Sequence, residues 1–179
     1  ADTITGGAGV DRFVFNSGSS PGTVGGSGDA GTITGYDVIT DLAPNAGGDV
    51  LDMPNVNVRA NETVNGTDSA LTIAGQQIKS HQINNGIITF SNNDTFSSGT
   101  TFSLTSLANV AAAVDYIHRN DFATNTGANI GFVANIGGTP HTYIFNQVGN
   151  NGNTTNDILV DLVGVSLTCL LYTSPSPRD

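Results

Sequence analysis

Residues 6–14 carry the feature that most restricts the folds open to this chain. They read Gly-Gly-Ala-Gly-Val-Asp-Arg-Phe-Val and match the nonapeptide G-G-x-G-x-D-x-U-x, in which U is a large apolar residue. One period before Asp11 and Phe13 stand Asp2 and Ile4, so the end of a preceding repeat is present in register. Because glycine permits turns with positive φ and the apolar residue points into a core, the pattern predicts a narrow roll of parallel strands.

The same spacing predicts a binding site for Ca²⁺. Glycines in such turns bring carbonyl oxygens inward, and the aspartate of the repeat adds a carboxylate. Ca²⁺ takes six to eight oxygen ligands at about 2.3–2.6 Å, and two stacked turns supply that number. The alternative interpretation is a glycine-rich hairpin turn whose aspartate is only solvated.

In residues 1–14 the chain resembles the RTX (repeats-in-toxin) family of secreted β-roll proteins. In that family each ion lies between turns two repeats apart, on one side of the roll. The resemblance implies carbonyl ligands in the glycine turn and carboxylate ligands at the aspartates. These implied ligands are Asp2, Gly6, Gly7, Ala8, Gly9 and Asp11.

The repeat pattern does not continue beyond this nonapeptide. Phe15 and Ser20 stand where a third repeat would need Gly and Asp. Residues 16–35, rich in Gly and Ser, are expected to form a long surface loop. After it, residues 37–42 (Asp-Val-Ile-Thr-Asp-Leu) and residues 48–53 (Gly-Asp-Val-Leu-Asp-Met) resemble the segments that close rolls of this family.

Aspartates in the closing segments extend the candidate metal site. Strand alternation places Asp37 and Asp41 on one face, so both could reach the same ion. The resemblance implies that this pair completes the last calcium site. Solvent-facing aspartates on an edge strand, which discourage aggregation, are the alternative, and for Asp49 and Asp52 that alternative is preferred.

A second and looser resemblance covers residues 130–168. Its sequences Thr-Tyr-Ile-Phe and Asp-Ile-Leu-Val-Asp-Leu-Val-Gly-Val look like the endings of RTX adhesins and surface-layer proteins. Such endings lie close to the signal for type I secretion. Asn146, Asn150 and Asp157 flank an Asn-rich loop that could hold a further ion, although a plain loop is the preferred interpretation.

Hydrophobic periodicity predicts a mainly β protein with one α-helix. Apolar residues from Leu107 to Ile117 recur at helical spacing, which predicts a helix at about residues 105–119 with Thr105 or Ser106 as its N-cap. Short alternating segments separated by Gly, Asn and Pro predict strands elsewhere, including a meander before the helix and three strands after it.

We therefore expect three parts. Residues 1–53 form the end of a calcium-binding β-roll with its closing strands, and residues 54–168 form a β-rich C-terminal domain that contains the helix. Residues 169–179 depart from the composition of the chain and resemble translated sequencing-adaptor read-through, so they are expected to be a non-native tail. Ala1 stands inside a repeat, which indicates a fragment of a longer protein.

Composition argues against several functional classes. The chain has 15 acidic and 5 basic residues, a net charge of −10 that disfavours nucleic-acid binding. Cys169 is the only cysteine, so no disulfide framework is expected. No apolar run is long enough for membrane insertion. The three histidines, His81, His118 and His141, occur singly, without a zinc-binding motif or a G-x-S-x-G elbow, so no enzyme active site is expected.

These observations together predict a calcium-binding C-terminal module of a secreted bacterial RTX protein. Such a module folds on Ca²⁺ outside the cell, and its partner during export is the type I secretion transporter. Two alternatives remain open. One is a piece of a structural surface protein, an adhesin or a surface-layer subunit, with contacts to the cell surface or to its own copies. The other is the export tail of a secreted protease or lipase.

Overall fold

The structure of the chain, a computed structural model, describes residues 1–44, 47–66, 69–120, 127–148 and 156–170. The strands, in chain order, are β1 (Thr3–Ile4), β2 (Arg12–Val14), β3 (Thr23–Gly25), β4 (Thr32–Thr34), β5 (Asp37–Ile39), β6 (Val50–Asp52), β7 (Glu62–Val64), β8 (Thr72–Ile73), β9 (Gln76–Gln77), β10 (Ser80–Asn84), β11 (Ile87–Ser91), β12 (Ala128–Ile136), β13 (Thr139–Gln147) and β14 (Ile158–Val163). Within this part of the chain one α-helix, α1, spans Leu107–Asn120. Short 3₁₀ turns lie at Gly28–Ala30 and Ser98–Thr100. The prediction of a mainly β protein with one helix near residues 105–119 is confirmed.

Eight strands form one mixed sheet in the order β1-β5-β14-β13-β12-β11-β10-β7. The pairs β1–β5, β5–β14 and β11–β12 are parallel, and the other pairs are antiparallel. Two-stranded ladders also join β2 to β6, β3 to β4 and β8 to β9. The three strands predicted after the helix are present as β12 to β14, and they pair antiparallel at the centre of the sheet.

The N-terminal residues form two stacked coils. The first coil comprises β1, a glycine turn and β2, and the second comprises β5, a turn and β6. Thr3 pairs with Val38 in the parallel β1–β5 ladder, and Arg12 pairs with Val50 in the parallel β2–β6 ladder. The parallel roll predicted from the nonapeptide is therefore present, with the closing segments as its second coil.

Residues 16–35, predicted to be a loop, contain the β3–β4 hairpin. The prediction was wrong because β-branched residues stand among the glycines. Val24 and Ile33 are cross-strand partners, and Ile33 is buried in the same cluster as α1. This hairpin leaves the roll between its two coils and packs on the helix.

The helix begins after Ser106, whose Oγ accepts a hydrogen bond from the Asn109 amide at 3.2 Å. Of the two predicted caps, Ser106 therefore does the capping, while the Thr105 amide donates to the Asn109 side chain. The buried face of the helix consists largely of small or medium apolar residues, among them Val110, the alanines at 111–113, Val114 and Ile117, together with the large side chain of Tyr116. Small side chains allow the helix to lie close to the strands that it covers.

Two hydrophobic clusters lie on opposite faces of the large sheet. Tyr143 and Phe145 belong to the cluster that contains α1, whereas Ile144, between them on β13, belongs to the cluster that contains the roll residues Phe13 and Ile39. Because side chains alternate along a strand, this division places the helix on one face and the roll on the other. The central strands are consequently buried on both sides.

Leu170, assigned from the sequence to the tail, is packed in the structure. Its exposed fraction is 6%, and its amide donates to the Asn85 carbonyl at 2.8 Å. Its side chain lies beside Gly86 and Gly131, since a Cβ added to either glycine would fall about 3.1 Å from Leu170 atoms. Residues 171–179 lie outside the described residues.

Candidate metal site

The glycine turn of the nonapeptide lies between β1 and β2, directly beside the turn of the second coil. Gly7 and Gly9 have φ values of 94° and 122°, a region that residues with a Cβ rarely adopt. The two glycines are thus required by the backbone, as the motif predicted. The implied ligands Asp2, Gly6, Gly7, Ala8 and Gly9 are all exposed at this end of the roll.

Asp11 has a carboxylate oxygen that no group of the described chain satisfies. Its Oδ2 atom is buried and has no hydrogen-bond partner. The side chain folds back over Gly6, where an added Cβ would lie 2.6 Å from Asp11 Oδ2 and 2.9 Å from Phe13 Cζ. A buried carboxylate oxygen without a partner is costly. A cation bound beside Asp11 would relieve this cost.

Asp41 is engaged by the glycine turn itself. Its Oδ1 accepts from the Gly6 amide at 2.9 Å and its Oδ2 from the Gly7 amide at 2.8 Å. These two hydrogen bonds lower the pKa of Asp41, because they stabilise its charged form.

Asp37 and Asp49 also accept hydrogen bonds from amides of the first coil. Asp37 Oδ1 accepts from the Asp2 amide, just before β1, at 2.7 Å. Asp49 Oδ1 accepts from the Asp11 amide, at the end of the turn, at 2.9 Å, and its Oδ2 accepts from the Ala43 amide at 2.8 Å. Asp49 therefore bridges two backbone amides, whereas Asp37 holds one.

The side chains of the predicted site are not gathered around one point. No group of three or more His, Cys, Asp or Glu side chains in the described ranges is arranged to hold a metal ion. Asp37 and Asp41, predicted to reach one ion together, contact different amides of the first coil. Of the predicted carboxylate ligands, Asp11 alone has a buried oxygen without a hydrogen-bond partner among the described residues.

Asp49 has a role that the sequence did not predict. A solvent-facing position was expected, yet Asp49 accepts hydrogen bonds from two amides and occupies the place in the second coil that Asp11 occupies in the first. The signal was available, because each aspartate immediately precedes a strand with a large apolar residue at its centre, Phe13 in β2 and Leu51 in β6. For Asp52 the structure gives an ion pair with Arg12 at 2.6 Å.

The second ion site considered for the Asn-rich loop receives no support from the described residues. Asn150 lies outside them. The Asn146 amide group donates to the Asn55 carbonyl and to the Asn129 side chain, whereas Asp157 accepts from the Val148 amide. Asn146 and Asp157 thus have separate partners.

Each histidine of the chain lies opposite a carboxylate, and no residue is shared between the three pairs. The pairs are His81 with Glu62 at 3.8 Å, His118 with Asp157 at 3.9 Å and His141 with Asp161 at 2.8 Å. Their positions on different strands and on α1 give isolated pairs rather than a shared site.

The buried histidines predict that acid destabilises the fold. Burial lowers the pKa of His81 and of His118, so both stay neutral in the folded chain while the unfolded chain takes up protons near pH 6.5. Their contribution to stability is present above that pH and is lost as the pH falls, by up to about 1.4 kcal/mol per pH unit for each histidine. We expect urea unfolding at pH 5.5 to give a lower free energy of unfolding than at pH 7.5.

Asp157 changes the stability of the fold with pH in the opposite direction to the two histidines, so a variant at this position tests the assignment. Burial raises its pKa to about 6, so the folded chain binds a proton below that pH before the unfolded chain does, and stability is gained as the pH falls. The Asp157→Asn variant should therefore lose stability more steeply than the parent between pH 7.5 and 5.5. A parent equally stable at both values, or a shallower decline in the variant, contradicts this assignment.

Comparison of the chain with protein-family models, with curated proteins and with solved structures gives no match. Among the described residues, no helix has the length and apolar character needed to cross a membrane.

Proposed function

We propose that this chain is a calcium-binding module of a secreted bacterial protein of the RTX type, and that it folds on Ca²⁺ outside the cell. The observation that carries the proposal is the buried Oδ2 of Asp11, which lacks a partner within a glycine turn that matches the calcium-binding nonapeptide. The stacking of this turn on a second, aspartate-containing turn supports it further.

A bound calcium ion would supply positive charge beside the glycine turn, where several carboxylates lie close together. Asp11 would provide an anionic ligand, and the residues of the turn, Gly6 to Gly9, would provide carbonyl oxygens. Asp2 and the aspartates of the second coil lie nearby and add negative potential. Without a cation these carboxylates repel one another, and the repulsion weakens the compact form of the roll.

The proposed role in export follows from the difference in free Ca²⁺ concentration between the inside and the outside of the cell. Inside the cell, where free Ca²⁺ is scarce, the roll is weakly stabilised, which suits passage through a type I secretion transporter. Outside, Ca²⁺ binds only the folded form and adds stability by mass action, about 2.7 kcal/mol per site at a hundredfold excess over the dissociation constant.

Thermal unfolding in the presence of different cations tests this function. We expect millimolar Ca²⁺ to raise the melting temperature of the chain and the same concentration of Mg²⁺ to have little effect. Mg²⁺ requires a tight octahedral shell and dehydrates reluctantly, so carbonyl-rich turns suit it poorly. Equal shifts with the two ions would mean general charge screening, and the specific site would have to be abandoned.

A further inference from the structure

We propose that Asp37, Asp41 and Asp49 form a carboxylate clamp, a set of hydrogen-bond acceptors that holds the first coil, including its glycine turn, in its binding conformation before any ion arrives. The three residues are positioning residues of the site, and they act on the backbone of the first coil. The inference deepens the proposed calcium function, but the clamp itself is a property of the metal-free chain.

The contacts follow the stacking of the two coils. Asp37 in the second coil reaches the amide of Asp2 in the first, and Asp41 reaches the amides of Gly6 and Gly7. Asp49 reaches the amide of Asp11. The donor–acceptor distances lie between 2.7 and 2.9 Å, the range of charge-assisted hydrogen bonds. Asp41 and Asp49 therefore hold amides within the glycine turn and at its end, and Asp37 holds the amide that precedes β1.

The turn needs such support because of its composition. Glycine loses more backbone freedom on ordering than any other residue, and a turn with three glycines is poorly defined by its own sequence. Gly6 and Gly7 lie outside the short ladders of β1 and β2, so strand pairing does not fix their amides. Acceptors carried by the second coil supply the missing constraints, and an ion then meets a turn that is already ordered, which raises affinity.

Asp11 differs from the clamp residues in its hydrogen bonding, which suits a ligand rather than a positioning residue. The clamp carboxylates all have donors, whereas Asp11 Oδ2 has no partner in the described chain. The backbone amide of Asp11 is meanwhile held by Asp49. The clamp thus orders the backbone that carries Asp11 and leaves this side chain available for the ion.

Amide hydrogen exchange in a calcium chelator, measured by NMR on the full chain, tests the clamp directly. We expect the Gly6 and Gly7 amides of the parent to exchange at least about tenfold more slowly than in Asp41→Ala, since exchange requires loss of a charged hydrogen bond. Asp41→Asn, which keeps one acceptor oxygen, should give an intermediate rate. Asp52→Ala is the matched control, because Asp52 in the same coil pairs with the Arg12 side chain and should leave both amides protected.

The outcomes separate the clamp from the calcium function. If the Gly6 and Gly7 amides of the parent exchange at unprotected rates in chelator, or at the same rate in the parent and in Asp41→Ala, the clamp is overturned. Calcium titration of Asp41→Ala should give weaker affinity with the same number of bound ions, and a reduced number would make Asp41 a ligand instead. Protected amides in a parent that binds no calcium would support the clamp and overturn only the calcium function.

Discussion

Replacement of Asp11 by alanine is expected to remove most of the stabilisation that Ca²⁺ gives to the chain. Asp11 is the carboxylate inside the complete nonapeptide, and its buried Oδ2 has no other partner among the described residues. At a hundredfold excess of Ca²⁺ over the dissociation constant, the loss is as much as about 2.7 kcal/mol. In chelator the same change should be neutral or slightly stabilising, because it removes a costly buried oxygen and one of several like charges.

Isothermal titration with Ca²⁺, together with melting curves in calcium and in chelator, measures both halves of this prediction. Asp94→Ala is the control, since it removes the same charge from a surface residue whose ion pair with Lys79 is largely exposed. It should leave calcium affinity unchanged. If Asp11→Ala binds calcium like the parent, the ion is not held at this turn. If it destabilises the chain equally in chelator, Asp11 serves only the turn.

Replacement of Tyr116 by alanine is expected to reduce the free energy of unfolding by about 3–5 kcal/mol, the usual cost of deleting a buried aromatic ring. Tyr116 is fully buried on α1. Its ring makes edge contacts with Phe90 and His81, at centroid distances of 5.3 and 5.5 Å. Its hydroxyl lies 2.8 Å from His81 Nδ1. The residue therefore joins the helix to β10 and β11 by packing and by a hydrogen bond.

Urea unfolding of two variants separates these contributions. Tyr116→Phe keeps the ring and removes the hydroxyl that contacts His81, so it should cost about 1–3 kcal/mol. Leu107→Ala, at a position on the same helix with an exposed fraction of 45%, should cost less than about 1 kcal/mol. Similar losses for Tyr116→Ala and Leu107→Ala would mean that the helix does not pack on the sheet in the way described.

The elements that the sequence predicted well are those with a local signal. The helix follows from the spacing of its apolar residues, and it begins within two residues of the predicted start because the cap at Ser106 is also local. The glycine turn follows from a pattern nine residues long, whose positive φ values at Gly7 and Gly9 are confirmed.

What the sequence did not predict depends on contacts between distant residues. The pairing of Thr3 with Val38 joins segments separated by a hairpin that looked like a loop, and no periodicity specifies it. The role of Asp49 follows from that pairing, because only the stacked coils bring its carboxylate to the Asp11 amide. The packing of Leu170 against the Asn85–Gly86 turn is another long-range contact, in a segment whose composition gave no indication of it.

The position of β5 has a consequence for how the chain can be divided. This strand pairs with β1 of the roll on one side and with β14 of the central sheet on the other. A cut near residue 53 would separate β14 from β5 and leave one edge of it unpaired. Five of the six residues of β14 are buried, so the new edge would be long, apolar and open to pairing with another chain, a common origin of aggregation. The N-terminal roll thus also covers this edge of the central sheet, and we expect a chain cut there to aggregate.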